Sequence, residues 1–188
     1  MLAVGVAAVL GAASASQAIL FTATTTLSGA AEAPPNGSPG TGVGRVDYDT
    51  VARTMRVRTT FSGLLGTTTA AHIHAATAVP GVGTAMVATQ TPSFAGFPLG
   101  VTSGSMDTTF DMSLASSYNP AFIAAHGGTV ATAEAFFIDS LNNGTAYLNL
   151  HTTSFTSGEI RGFLQVPAPS AAALLGLGGL IPARRRTR

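Results

Sequence analysis

The chain has 188 residues, of which only 9% are charged, with 22 Gly, no Cys and no Lys. That length holds one domain with terminal appendages, and the missing Cys excludes disulfides, thiolate metal sites and thiol nucleophiles. Arg184, Arg185, Arg186 and Arg188 account for much of the basic charge and leave five Arg against eight acidic residues elsewhere, so a basic nucleic-acid-binding face is excluded.

Residues 1–18, "MLAVGVAAVLGAASASQA", read as a signal peptide: an apolar run followed by small-residue cleavage patterns at Ala13-Ser14-Ala15 and Ser16-Gln17-Ala18. The positively charged n-region usual in such signals is missing. Residues 19–166 are then expected to form the domain.

Within it, short runs rich in Thr, Val and Phe alternate with Gly, Pro and Asn, the spacing of an antiparallel, mainly β sandwich. Strands are expected over 19–27, 41–48, 54–61, 70–75, 84–88, 104–113, 145–152 and 159–166. Period two is clearest in "TMRVRTTF", with Met55, Val57, Thr59 and Phe61 on one face and Arg56, Arg58 and Thr60 on the other. "EAPPNGSPGTG" reads as a loop because its prolines cannot donate to a ladder.

Two inserted helices interrupt the strands. "YNPAFIAAHGG" places Asn119 as a cap and Pro120 in the first turn, with His126 and two Gly ending it. In "TVATAEAFFIDSLNNG", Ala133, Phe136, Phe137 and Leu141 form the apolar stripe, which leaves Glu134 and Asp139 toward water.

The histidines hold the most chemistry. His72 and His74, at i and i+2 in "AAHIHAA", share one strand face. The hairpin "AYLNLHTTSFTSGEIRGFL" puts Tyr147, Asn149 and His151 on one face, and a register pairing His151 with Glu159 sets Asn149 opposite Arg161 and Tyr147 opposite Phe163. Two readings follow. In one, His72, His74 and His151 hold Zn or Cu, with a carboxylate such as Glu159 orienting a ligand. In the other, which a lone His-x-His favours, the histidines join a structural polar cluster of Asn149, Glu159 and Arg161. Glu32, beside Pro34 and Pro35, is assigned to a turn or ion pair.

No nucleophile elbow, phosphate-binding loop, dinucleotide fingerprint or zinc-protease helix appears. The tail, residues 167–188, joins a Pro-flanked entry and an apolar stretch over 170–183 to the Arg cluster. As a helix that stretch would cover about 21 Å, short of the roughly 30 Å hydrocarbon layer, so transient membrane contact is expected. The tail resembles the PEP-CTERM sorting signal of Gram-negative bacteria, which implies recognition by an exosortase-type enzyme. Here Ala168 stands where that motif usually has Glu.

"LSGAAEAPPNGSPGTG", "FSGLLGTTTAAHIHAA" and "GTAYLNLHTTSFTSGEIRGFL" together resemble the CHRD (chordin-like) domain over about 21–165. The resemblance implies an extracellular Greek-key or immunoglobulin-like sandwich, with the family's motifs falling on His72 and His74, on Asn149, His151 and Thr152, and on Gly158 to Gly162. It implies no catalytic residue. The expectation is a secreted or surface-displayed bacterial protein, non-enzymatic, needing no cofactor, with an extracellular protein or polysaccharide as partner. The alternative is a Cu or Zn protein, including a metal-dependent oxidoreductase analogous to superoxide dismutase.

Overall fold

The computed structural model describes residues 20–167. The signal and all but the first residue of the sorting segment lie outside them. Seven strands form one antiparallel sheet: β1 (Leu20–Ser28), β2 (Thr41–Asp49), β3 (Thr54–Ser62), β4 (Thr68–His74), β5 (Gly104–Asp111), β6 (Tyr147–Thr152) and β7 (Ile160–Phe163). Their order across the sheet is β4-β6-β7-β1-β2-β3-β5. The helices α1 (Pro120–Ala125) and α2 (Val130–Asn142) enter between β5 and β6.

Alternation decides which side is dry. In β3, Met55, Val57, Thr59 and Phe61 are buried while Arg56 and Thr60 face water, as a half-buried antiparallel strand requires. The β1–β2–β3 meander is in continuous register, stacking Ala23, Val46 and Val57 side by side.

The sheet curls where β7 meets β1. Those strands pair only at Ser28 and Arg161, with one further bridge between Thr24 and Gln165. A side chain at Gly162 would sit 2.0 Å from the Thr26 carbonyl oxygen, so only glycine allows this approach. Beyond the bend β6 lies over β2: a Cβ on Gly44 would come within 2.7 Å of Leu148. Leu148, Leu150 and Ile160 thereby close over Val46, Tyr48 and Val57 in one core, and the curled sheet packs as a β-sandwich.

Asn119 caps α1 by accepting the Ala121 N–H at 3.0 Å, with Pro120 in the first turn. His126 ends that helix, followed by Gly127 at φ +91°. Thr129 and Thr132 cap α2 reciprocally.

Three expectations are corrected. The segment 84–88 is not a strand: Gly81 and Gly83 turn the chain through positive φ, and only Val87 bridges to His74. Glu134 does not face water but is buried, accepting from the Tyr48 hydroxyl at 2.8 Å and from Arg53 Nε at 2.8 Å. The apolar stripe of α2 narrows to Ala133, Phe137 and Leu141, while Phe136 stays partly exposed and stacks on His126.

Candidate metal centre

Pairing between β4 and β6 sets His72 opposite Asn149 and His74 opposite Tyr147, with His151 opposite Ala70. Because each strand alternates, His72, His74, Tyr147, Asn149 and His151 share the face turned away from the Leu148–Leu150 core. On the other side of β6, Asn149 pairs with Arg161 and Tyr147 with Phe163. Those two pairs are the ones expected from the sequence, but the ladder ends at Leu150 and Ile160, so the expected pair of His151 with Glu159 is not formed.

The three imidazoles converge. Ring centroids are 5.2 Å apart for His72 and His151, 5.9 Å for His72 and His74, and 6.0 Å for His74 and His151. One nitrogen from each ring lies within 4.8 Å of the other two. One nitrogen of each ring is fixed by a backbone carbonyl: His72 Nε2 by Pro92 at 2.7 Å, His74 Nδ1 by Ala85 at 2.9 Å, and His151 Nδ1 by Thr156 at 2.9 Å. A carbonyl only accepts, so each of these nitrogens must carry the proton. The remaining nitrogens, His72 Nδ1, His74 Nε2 and His151 Nε2, therefore hold free lone pairs, and all three are buried with no hydrogen-bond partner.

Burial keeps these rings neutral. It lowers the pKa of His74 to about 4, against the opposing effect of the Ala85 carbonyl, and lowers those of His72 and His151 as well. Neutral imidazole with a carbonyl-bound second nitrogen is the form that ligates zinc and copper. With metal–nitrogen bonds of about 2.0–2.1 Å, tetrahedral ligands lie roughly 3.4 Å apart. Inward movement of about an ångström would bring the trio to that spacing.

Arg161 shares this face, almost fully buried. Its Nε donates to the Ala31 carbonyl and Nη1 to the Gly83 carbonyl at 3.0 Å, and the guanidinium lies 4.8 Å from the Tyr147 ring centroid. His74 stacks on the same ring at 4.7 Å. Glu32 approaches Arg161 Nε at 3.8 Å, the ion pair foreseen for it. Its Oε1 and the Oδ1 of Asn149 are both buried without a partner. Burial raises the Glu32 pKa to about 7 despite the nearby guanidinium.

Glu159 stands apart from the trio. Its carboxylate collects the Ser38 and Thr152 hydroxyls at 2.6 Å each, with the N–H groups of Leu65 at 2.6 Å and Gly66 at 3.1 Å. Burial alone would raise its pKa, but these donors hold it below the ordinary carboxylate value. Glu159 therefore fastens loops together and orients no histidine. The carbonyls of Ala85, Pro92 and Thr156 do that instead, and backbone acceptors leave no trace in side-chain identity. Tyr147 was visible in the alternation, but its stacking on His74 was not.

The family model described as CHRD domain matches residues 23–164. The chain belongs to the CHRD-domain family. No curated protein and no solved structure matches it. The CHRD span contains the whole trio, its three carbonyl partners and Arg161, so the candidate centre is built entirely within the domain.

Proposed function

We propose that this CHRD-domain protein binds a transition-metal ion, zinc or copper, through His72, His74 and His151. The observation that supports it is the trio of buried, unpaired imidazole nitrogens, each on a ring whose tautomer a carbonyl fixes. A purely structural polar cluster would pair those atoms, because an unsatisfied buried acceptor costs about 1–3 kcal/mol. Each ring does bond to backbone, as such a cluster would have it, yet none bonds to Glu159 or Arg161.

The ion's work here is binding and cross-linking: it would tie β4, β6 and, through the carbonyls, the 85–92 and 156 segments into one unit. The protein is proposed to act non-enzymatically outside the cytoplasm, secreted or at the cell surface of a Gram-negative bacterium. Its partner there is an extracellular protein or polysaccharide. Residues 1–18 and 167–188 support export and exosortase-type processing by their sequence pattern alone.

Metal analysis of purified protein tests the central claim. Wild type should take up about one equivalent of Zn or Cu, and a His72→Ala/His74→Ala variant almost none. Equal, negligible uptake by both overturns it. Intact mass of exported material tests processing, since a product retaining Arg188 rules it out.

A further inference from the structure

Resting on the metal reading, we propose that the centre is selective for monovalent copper and that Arg161 sets this preference. The donor set is three neutral imidazoles with no anionic ligand, so a divalent ion would bring two uncompensated charges into a buried place. The free nitrogens of His72, His74 and His151 are all buried. Zinc bound by three protein ligands needs a water or another group in its fourth position. Monovalent copper is satisfied by three nitrogens.

Arg161 adds a fixed positive charge. Arg161 faces Asn149 across β6 and β7, and its guanidinium reaches diagonally to the Tyr147 ring at 4.8 Å, the same ring that His74 stacks on at 4.7 Å. Repulsion from a neighbouring cation scales with the charge of the ion, so it opposes a divalent ion twice as strongly as a monovalent one. The opposing carboxylate is Glu32, whose contact with Arg161 at 3.8 Å is too long for a hydrogen bond. Arg161 gives its protons to the Ala31 and Gly83 carbonyls instead.

Apoprotein titrated anaerobically with Cu(I) against a chromogenic chelator, and separately with Zn(II), should bind Cu(I) more tightly. The copper form should have a reduction potential above that of the aquated ion. Glu32→Gln removes the counter-charge and keeps the shape. At about pH 8, where Glu32 is ionised, it should raise the Cu(I)-to-Cu(II) affinity ratio about tenfold, or about 59 mV. Arg161→Met should lower the ratio by a similar factor, and Glu32→Gln decides the matter if that variant does not fold. Tighter Zn(II) binding, or an unchanged ratio in Glu32→Gln, overturns the selectivity while leaving a metal centre. Failure of wild type to bind either ion overturns the metal reading with it.

Discussion

His72 on β4 and His151 on β6 meet with ring centroids 5.2 Å apart and planes inclined by 68°, although neither lies directly opposite the other. The residue facing His72 is Asn149, and the residue facing His151 is Ala70. The small side chain of Ala70 leaves space above β4, and alternation puts both rings on one face, so the imidazoles close along the diagonal. His151 thereby completes a triangle that the His-x-His pair alone could not.

Removing that third corner separates a ligand from a bystander. His151→Ala is expected to weaken metal binding at least about 100-fold in a competition titration. Apoprotein stability should change by no more than about 1 kcal/mol, because the lost hydrogen bond to Thr156 is offset by removal of a buried unpaired nitrogen. Wild-type affinity in this variant would show that His151 is no ligand.

Glu134 anchors α2 to the sheet. It accepts from Tyr48 on β2 and from Arg53 in the turn before β3, and burial places Tyr48 and Glu134 out of reach of replacement water. Glu134→Ala should lower unfolding free energy by about 2–3 kcal/mol in urea titrations. Neither β2 nor β3 is a sheet neighbour of β4 or β6, so metal affinity should hold within about twofold.

These two sites mark what the sequence reveals. Alternation in "TMRVRTTF" shows which residues are buried and in "AYLNLHTT" which share a face, though both faces of that strand are covered, and the hairpin register follows from pairing polar with polar and aromatic with aromatic. Glu134 was misplaced because helical periodicity assigns a face without knowing that Tyr48 and Arg53 wait on it with donors. Glu159 was placed beside His151 by register, yet it precedes the first residue of β7 and its carboxylate turns to the Ser38, Leu65 and Gly66 donors. The carbonyls of Ala85, Pro92 and Thr156 could not be foreseen, since any residue type supplies one.

Glu32 should leave a signature in pH-dependent stability. Its folded pKa, raised by burial to about 7, lies above its unfolded value. Between about pH 4.5 and 7 the native state therefore binds the extra proton, and its contribution is present below that window and lost as pH rises through it. His74 acts oppositely: held near 4 by burial, it makes the unfolded state the better proton binder and weakens the fold as pH falls from about 6.5. The two slopes offset one another in wild type, so the informative quantity is the difference between wild type and Glu32→Gln. Melting temperatures should show wild type losing ground to Glu32→Gln as pH rises from about 4.5 to 8. A pH-independent difference would mean that Glu32 titrates normally.

Gly158 links the turn after β6 to the histidine trio. Its φ is +132°, and a Cβ there would lie 2.6 Å from both terminal atoms of Asn149 and 2.7 Å from Glu32 Oε1. Gly158→Ala therefore carries backbone strain and a clash with two buried side chains. A loss of about 2–3 kcal/mol in stability is expected. The same displacement shifts Thr156, two residues earlier, whose carbonyl orients His151, so metal affinity should fall about tenfold as well. Gly37→Ala is the matched control, with nothing within 4 Å of its Cβ position, and should stay within about 0.5 kcal/mol of wild type. If Gly158→Ala lowers stability but leaves affinity intact, the 156–158 turn does not position His151 for the ion.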